Sequence, residues 1–279
     1  MNTAKNSTLP VIQRLLHSLP ADAPVIDVRI GIHWTVVVVE TLNGCRAGLA
    51  ATQVVTGPEH GRPSIRDAGN LLGKMGGELA QLALSESPAE RSLGLAAMNA
   101  MLDVQVPSCV DQNAEEVILR VGKQKRVAIV GHFPFVAKVR QEAKECWVLE
   151  LNPGPEDVPA SRAPELIPQA DVVAITGMTL VNHTFDSVVS LCRPGAYVLV
   201  LGPSTPLSPI LFDSGVDLLS GTIIVDIPAV LRGVSQGANF RQLTGRRLVT
   251  LESPRGSRLQ TRHDNPGADL RSSSEGSPL

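Results

Sequence analysis

The spacing of apolar residues changes from helical to strand-like within the first fifty residues of the chain. Over residues 8–19 apolar side chains recur every three or four positions, which predicts a helix that ends before Pro20. Three short stretches rich in β-branched and small residues follow. They are residues 25–30, 35–40 and 45–51. Because Asn43-Gly44 is a strong hairpin signal, these stretches predict an antiparallel meander of three strands.

Two helices are expected after the meander, beyond a polar loop at residues 56–66. The first is predicted over residues 67–84. The second covers residues 91–102 and begins at Ser87-Pro88-Ala89-Glu90, where Ser suits the N-cap, Pro the first helical position and Glu the capping box. Meander and helices together predict an α+β domain over residues 1–107.

The second half has a different pattern, in which continuous apolar runs of strand length alternate with helical segments. The predicted strands are residues 127–130, 147–151, 172–176, 196–201 and 221–226. The predicted helices are residues 135–144, 184–191 and 227–233. Strands buried on both faces and separated by helices predict a parallel sheet, so the fold class is α/β with a Rossmann-like domain over residues 108–252. Residues 253–279 lack apolar periodicity and are predicted to form a disordered tail.

Composition narrows the range of partners and compartments. The formal net charge is -2 and aromatic residues make up 3% of the chain, so neither a basic field nor base-stacking side chains favour nucleic acid. No apolar run approaches the ~18 residues of a membrane span. The cysteines have neither zinc-finger nor redox spacing, which indicates a reduced, cytoplasmic protein. The composition leaves the oligomeric state open, and a homo-oligomer is one alternative.

Polar residues and glycines follow four of the predicted strands. In open parallel sheets ligands bind beyond the carboxyl ends of the strands, so these residues are the candidate ligand contacts. The candidates are Gly131, His132, Phe133 and Pro134; Glu150; Gly177, Thr179, Asn182 and Thr184; and Gly202, Pro203, Ser204 and Thr205. Asn99 joins them from the first half, since an Asn on an Ala-rich helix face needs partners. Each also has a structural interpretation, as a turn, a helix cap or a solvated charge.

Two kinds of chemistry are conceivable at these strand ends. His132 and Glu150, with His183 as a further ligand, are residue types that bind divalent metals, although no two of them have a local ligand spacing. Glu150 also follows the second strand, where nucleotide-binding folds place an acid on the ribose. The turn at Gly131 departs from the dinucleotide fingerprint, because Phe133 and Val136 replace its later glycines.

Four strings in this order resemble a known family. They are Ser92-Leu93-Gly94-Leu95-Ala96-Ala97-Met98-Asn99-Ala100, Val130-Gly131-His132-Phe133-Pro134-Phe135, Thr179-Leu180-Val181-Asn182-His183-Thr184 and Gly202-Pro203-Ser204-Thr205-Pro206-Leu207-Ser208-Pro209. The chain resembles, from about residue 10 to 245, the family named "Putative heavy-metal chelation". The resemblance implies an enolase N-terminal-like domain, a Rossmann-like domain and a site in the cleft between them.

The resemblance also sharpens the expected ligand. It implies a protein that binds heavy metals or metal chelates, and it supports eleven of the candidates by position. These are Asn99, Gly131, His132, Phe133, Pro134, Thr179, Asn182, Thr184, Gly202, Pro203 and Ser204. His183 stands where a small or variable residue is expected, which weakens a site with two histidines. The alternatives are an enzyme with a nucleotide or S-adenosylmethionine-like cofactor and a non-catalytic interaction protein.

Overall fold

The first half of the chain folds as a small antiparallel sheet covered by helices. The computed structural model describes residues 9–53, 63–104, 109 and 113–257. Its first elements are α1 (Val11–His17), β1 (Val25–Ile30), β2 (Trp34–Thr41) and β3 (Gly44–Ala51). The strands pair antiparallel in the order β1-β2-β3, and Gly44 turns the β2–β3 hairpin with a φ of 105°. The predicted meander is therefore confirmed.

The two helices that follow differ in how well the sequence predicts them. They are α2 (Gly76–Ala80), extended by a 3-10 turn at Gln81–Leu84, and α3 (Pro88–Met101). The single helix predicted over residues 67–84 is wrong in its first half, because Gly69 and Gly73 adopt φ values of 91° and 82° that end any helix there. Ser87 does cap α3, since its side chain accepts a hydrogen bond from the Glu90 N–H.

The second half contains seven strands interleaved with helices. The helices are α4 (Ala114–Gly122), α5 (Val136–Glu142), α6 (Ala163–Leu166), α7 (Met178–Val181), α8 (Phe185–Ser190) and α9 (Ile227–Ser235). The strands are β4 (Arg126–Val130), β5 (Glu145–Glu150), β6 (Val158–Pro159), β7 (Val172–Thr176), β8 (Tyr197–Leu201), β9 (Leu218–Ile224) and β10 (Arg246–Glu252). Short 3-10 turns lie at Ala160–Arg162, Ile167–Gln169 and Pro209–Ser214.

These strands form one mostly parallel sheet in the order β10-β9-β8-β7-β4-β5-β6. Strands β4 to β9 pair in parallel, and β10 pairs antiparallel with β9 at one edge. Counted from β4 along the chain, the parallel strands follow the order 3-2-1-4-5-6 of doubly wound nucleotide-binding folds. The order reverses between β4 and β7, which is where such folds bind ligands.

The two halves share a hydrophobic core on one face of this sheet. Leu95 and Met98 of α3 belong to the same buried cluster as Val173 and Val200 of the large sheet. The other face, with Ile129 and Ala174 among others, packs against α4 and α5. Side chains also tie the halves together: Asp186 of the second half accepts a hydrogen bond from the Val11 N–H at the start of α1.

Some predictions concern segments of the chain that lie partly outside the described residues. Of the predicted linker at residues 107–112, only Cys109 lies within the described residues, and the domain boundary at residue 107 stays a prediction. Residues 253–257 are described and contact Asp217, whereas residues 258–279 of the predicted tail lie outside the described chain. The likeness to the enolase N-terminal fold also stays a prediction. In the ranges that the structure describes, no helix has the length and apolar character needed to cross a membrane.

Candidate functional site

A glycine directly follows each of three parallel strands at the carboxyl edge of the large sheet. Gly131, Gly177 and Gly202 directly follow β4, β7 and β8. Each donates its N–H to the next strand along the sheet: to the carbonyls of Leu149 (3.0 Å), Leu201 (2.9 Å) and Ser220 (3.1 Å), in that order. The three strands therefore end level with one another, and the residues that follow them lie along one edge of the large sheet, as the sequence predicts.

Gly131 marks the point where the strand order reverses. Its φ is 100°, which side-chain-bearing residues rarely adopt, and a Cβ here would stand 2.8 Å from Thr176 Cγ2 at the end of β7. The backbone of the β4 turn thus lies against the end of the neighbouring strand. A glycine is required for this close approach, whether or not a ligand lies above it.

A cavity of about 680 Å³ lies beside this turn, on the face of the sheet that packs against the first half. Six of the predicted residues line it. They are Gly131, His132, Glu150, Thr179, Asn182 and Thr184. The sequence analysis missed other polar residues of the lining. These are Gln53, Ser161 and Ser187; Thr176, the last residue of a predicted strand, lines the cavity as well. Gln53 comes from the first half, so both halves form the wall. Its position just beyond a predicted strand is the feature of the sequence that could have identified it.

Some polar groups of this wall form hydrogen bonds within the described part of the protein, and others do not. The Thr179 hydroxyl donates to the Thr176 carbonyl (2.8 Å), and the Thr176 hydroxyl accepts from the Met178 N–H (3.3 Å). These two groups therefore hold the turn between β7 and α7. The Glu150 side chain, by contrast, lines the cavity, makes no hydrogen bond or ion pair within the described residues and is available to a ligand.

His132 lies at the rim of the cavity and is half-exposed. Its Nδ1 stands 3.5 Å from Asp157 Oδ2, and Asp157 also accepts hydrogen bonds from the Gly154 N–H and from Arg140 Nη2. His183 does not line the cavity: its Nε2 contacts the Ala83 carbonyl at 2.7 Å. Nowhere in the described parts of the chain do three or more His, Cys, Asp or Glu side chains group as they would around a metal.

Two other predicted residues, Ser204 and Asn99, join the two halves rather than lining this cavity. Ser204 Oγ accepts from the Ala51 N–H at 2.9 Å, and Asn99 Nδ2 donates to the carbonyls of Leu49 (2.9 Å) and Ser204 (3.2 Å). The contacts of Ser204 with Ala51 and Asn99 cover the edge of β3 with the loop that follows β8. Thr205 and Gly177, also predicted, pack against each other within the second half: Thr205 is buried, and a Cβ on Gly177 would stand 2.8 Å from its Oγ1.

Replacing Asn99 with alanine is expected to weaken this junction. Two carbonyls that now accept from the Asn99 amide would lose their partner, which costs about 1–2 kcal/mol of the free energy of unfolding. Urea denaturation followed by circular dichroism measures this loss. An Asn70→Ala variant, at an exposed loop position, serves as the control. Equal stability of Asn99→Ala and the wild type would contradict the structural role of Asn99.

The remaining predicted residues lie on the other face of the sheet. Phe133, Pro134, Gly202 and Pro203 line a separate cavity of about 470 Å³, next to Leu201. Phe133 stacks on Phe135 there, with ring centroids 5.2 Å apart. The strand-end residues predicted as one cluster are thus divided by the sheet, because the chain after β4 passes from one face to the other between His132 and Phe133.

Comparison with known proteins agrees with the strings found in the sequence. Two family models match the chain, one over residues 12–102 and one over residues 113–252, and both have the description "Putative heavy-metal chelation". This chain belongs to that family. An uncharacterised protein of Methanocaldococcus jannaschii is 30% identical over 226 residues, which cover 78% of this chain and 85% of that protein.

Solved structures from the same family share the fold. A protein of unknown function from Desulfitobacterium hafniense has a TM-score of 0.74 and 24% identity, covering 91% of this chain and 100% of its own. A second one, from Pyrococcus horikoshii, has a TM-score of 0.75 and 22% identity, covering 88% of this chain and 98% of its own. These two proteins therefore have the same overall fold as this chain.

Proposed function

We propose that this family member binds a metal chelate, meaning a metal ion already held by a small organic molecule, in the cavity formed by both halves. The cavity at the reversal of strand order carries the proposal, because its wall combines one unpartnered carboxylate with hydroxyl and amide groups. The family description is the reason for choosing a metal-containing ligand.

The donor set favours a chelate over a bare ion. Structural metal sites in proteins need about four side-chain ligands, and catalytic sites about three. Of the described residues that line the cavity, only His132 and Glu150 are of the His, Cys, Asp or Glu types, and His132 is half-exposed beside Asp157. An organic ligand would supply the missing donor atoms. Glu150 would then accept hydrogen bonds from the ligand's amino or hydroxyl groups, and His132 at the rim would hydrogen-bond to a carboxylate of the ligand.

Isothermal titration with nickel separates these possibilities. We expect the bis-histidine complex of Ni²⁺ to bind more tightly than Ni²⁺ alone, and Glu150→Gln to weaken binding of the complex about tenfold, since a charge-assisted hydrogen bond is lost. Glu145→Gln is the matched control, because Glu145 lies at the opposite end of the same strand. Tighter binding of the bare ion, no binding of the complex, or equal losses in both variants would each count against the proposal.

The strand order supports a second candidate, an enzyme with a nucleotide or S-adenosylmethionine-like cofactor. Glu150 ends the second strand of a 3-2-1-4-5-6 sheet, where an acid commonly binds ribose hydroxyls. Thermal-shift measurements with ATP, NAD and S-adenosylmethionine test this candidate. A cofactor should raise the melting temperature, and Glu150→Gln should abolish the shift. If none of the three raises it, the candidate is discarded.

A further inference from the structure

A pair of side-chain amides spans the two halves of the molecule at the cavity wall. Gln53 follows β3 in the first half, and Asn182 follows α7 in the second. Gln53 Nε2 donates to Asn182 Oδ1 at 2.6 Å. The Gln53 N–H donates to Ser92 Oγ (3.0 Å) and the Asn182 N–H to the Met178 carbonyl (2.9 Å), so the backbone on both sides of the pair is fixed.

The shared hydrogen bond leaves one acceptor and one donor for a ligand. Gln53 Oε1 and Asn182 Nδ2 make no hydrogen bond to any part of the chain that the structure describes. An amide that is rotated by 180° exchanges its oxygen and nitrogen. If both amides are rotated, the two residues exchange these roles, but the pair still presents one acceptor and one donor. This composition therefore does not depend on how each amide is oriented.

We propose that the Gln53–Asn182 pair selects a ligand with a neutral planar group that offers a donor and an acceptor side by side, such as a carboxamide or a lactam. The inference rests on the proposed function only in requiring that the ligand occupies this cavity. A carboxylate on the ligand has two acceptors and would leave the acceptor of the pair unpaired. An amidinium has two donors and would leave the donor of the pair unpaired. A buried polar group without a partner is costly, so both are disfavoured.

Three aromatic fragments of nearly identical shape test this selection. Benzamide offers one donor and one acceptor, benzoate two acceptors, and benzamidine two donors. Their common ring suits the apolar part of the cavity wall, formed by residues such as Leu149, Val188 and Leu191. Dissociation constants can be measured by titrating each fragment into the full chain and following chemical shifts. The wild type is expected to bind benzamide about tenfold more tightly than the other two, the ratio for one lost hydrogen bond.

A single isosteric change should alter the order of preference. In Gln53→Glu the carboxylate accepts from Asn182 Nδ2, so the pair then presents acceptors from both residues, and benzamidine becomes the preferred fragment. Gln169→Glu is the matched control: it makes the same change of charge at an amide that bonds the Glu165 carbonyl on the surface, and benzamide should stay preferred.

The outcomes separate this inference from the proposed function. Benzoate or benzamidine binding the wild type as tightly as benzamide, an unchanged order in Gln53→Glu, or no binding of any fragment would each overturn the selection by the amide pair. If the fragments follow the expected order but the nickel complex does not bind, the chelate proposal fails while the inference stands. If the complex binds and the fragments show no order, only the inference fails.

Discussion

The Gly131→Ala variant is expected to lose about 2–4 kcal/mol of its free energy of unfolding, through strain and overpacking together. The residue has a φ of 100°, and the added Cβ would stand 2.8 Å from Thr176 Cγ2 and 2.9 Å from Thr176 Cβ. Thr176 ends a buried central strand and cannot move away easily. Either the turn after β4 or the end of β7 must therefore shift, and both belong to the cavity wall.

Matched variants separate the two sources of this loss. Gly215 has a φ of 88° and no atom within 4 Å of its Cβ position, so Gly215→Ala should lose only about 1–2 kcal/mol from the left-handed backbone. Adding Thr176→Ser to Gly131→Ala removes the nearest methyl group and should recover part of the loss, which a double-mutant cycle measures. Equal losses at Gly131 and Gly215 would contradict the close contact between the two strand ends.

Arg255→Ala is expected to lower the free energy of unfolding by about 2–3 kcal/mol at pH 7. This is less than the loss expected on breaking a fully buried ion pair, because Arg255 is half-exposed. Asp217 is completely buried, and its Oδ2 accepts from the Val198 N–H at 2.9 Å. Arg255 Nε stands 3.1 Å from Oδ1 of the same carboxylate. Removing the guanidinium would leave a buried charge without its counter-ion.

The loss in Arg255→Ala should grow with pH. Burial raises the pKa of Asp217, and the nearby Arg255 opposes that rise. A carboxyl with a raised pKa in the folded state stabilises the fold at low pH, and this contribution is lost as the pH rises from about 4 through the folded pKa. Without Arg255 the pKa rises further, so the deficit against the wild type widens toward neutral pH.

Urea denaturation at pH 4.5 and pH 7.5 measures this dependence. Combining Arg255→Ala with Asp217→Asn removes the buried charge while an amide oxygen can still accept from Val198, so the deficit at pH 7.5 should shrink markedly. A deficit that is the same at both pH values, or that persists in the double variant, would show that Asp217 is not the group responsible.

Local signals in the sequence predict most of the fold. The Asn43-Gly44 turn, the Ser87 cap and the apolar runs of the central strands each depend on residues close in the chain, and each is confirmed. Helix α4 and strand β10 were missed, although Val117, Ile118 and Val121 have helical spacing on α4. The pairing of β10 antiparallel to β9 depends on residues distant in sequence, and no local pattern specifies it.

The candidate site was predictable only in part, for a geometric reason. Topology brings Gly131, Glu150 and Asn182 to one edge of the sheet, because parallel strands end at a common edge, and all three line the same cavity. Which face of the sheet each residue after a strand joins depends on individual backbone angles, and Phe133 and Pro203, grouped with them by the sequence, line the other cavity. Gln53 was missed because its role depends on how the two halves pack together.

Locating the metal directly is the most informative test of the site. Crystals of the full chain grown with the bis-histidine complex of Ni²⁺ would show the metal by anomalous scattering at the nickel absorption edge. We expect one strong peak in the cavity lined by Gln53, Glu150 and Asn182, with density for the organic ligand around it. A nickel ion found instead on surface histidines, with this cavity free of ligand density, would contradict the assignment of the cavity as the binding site.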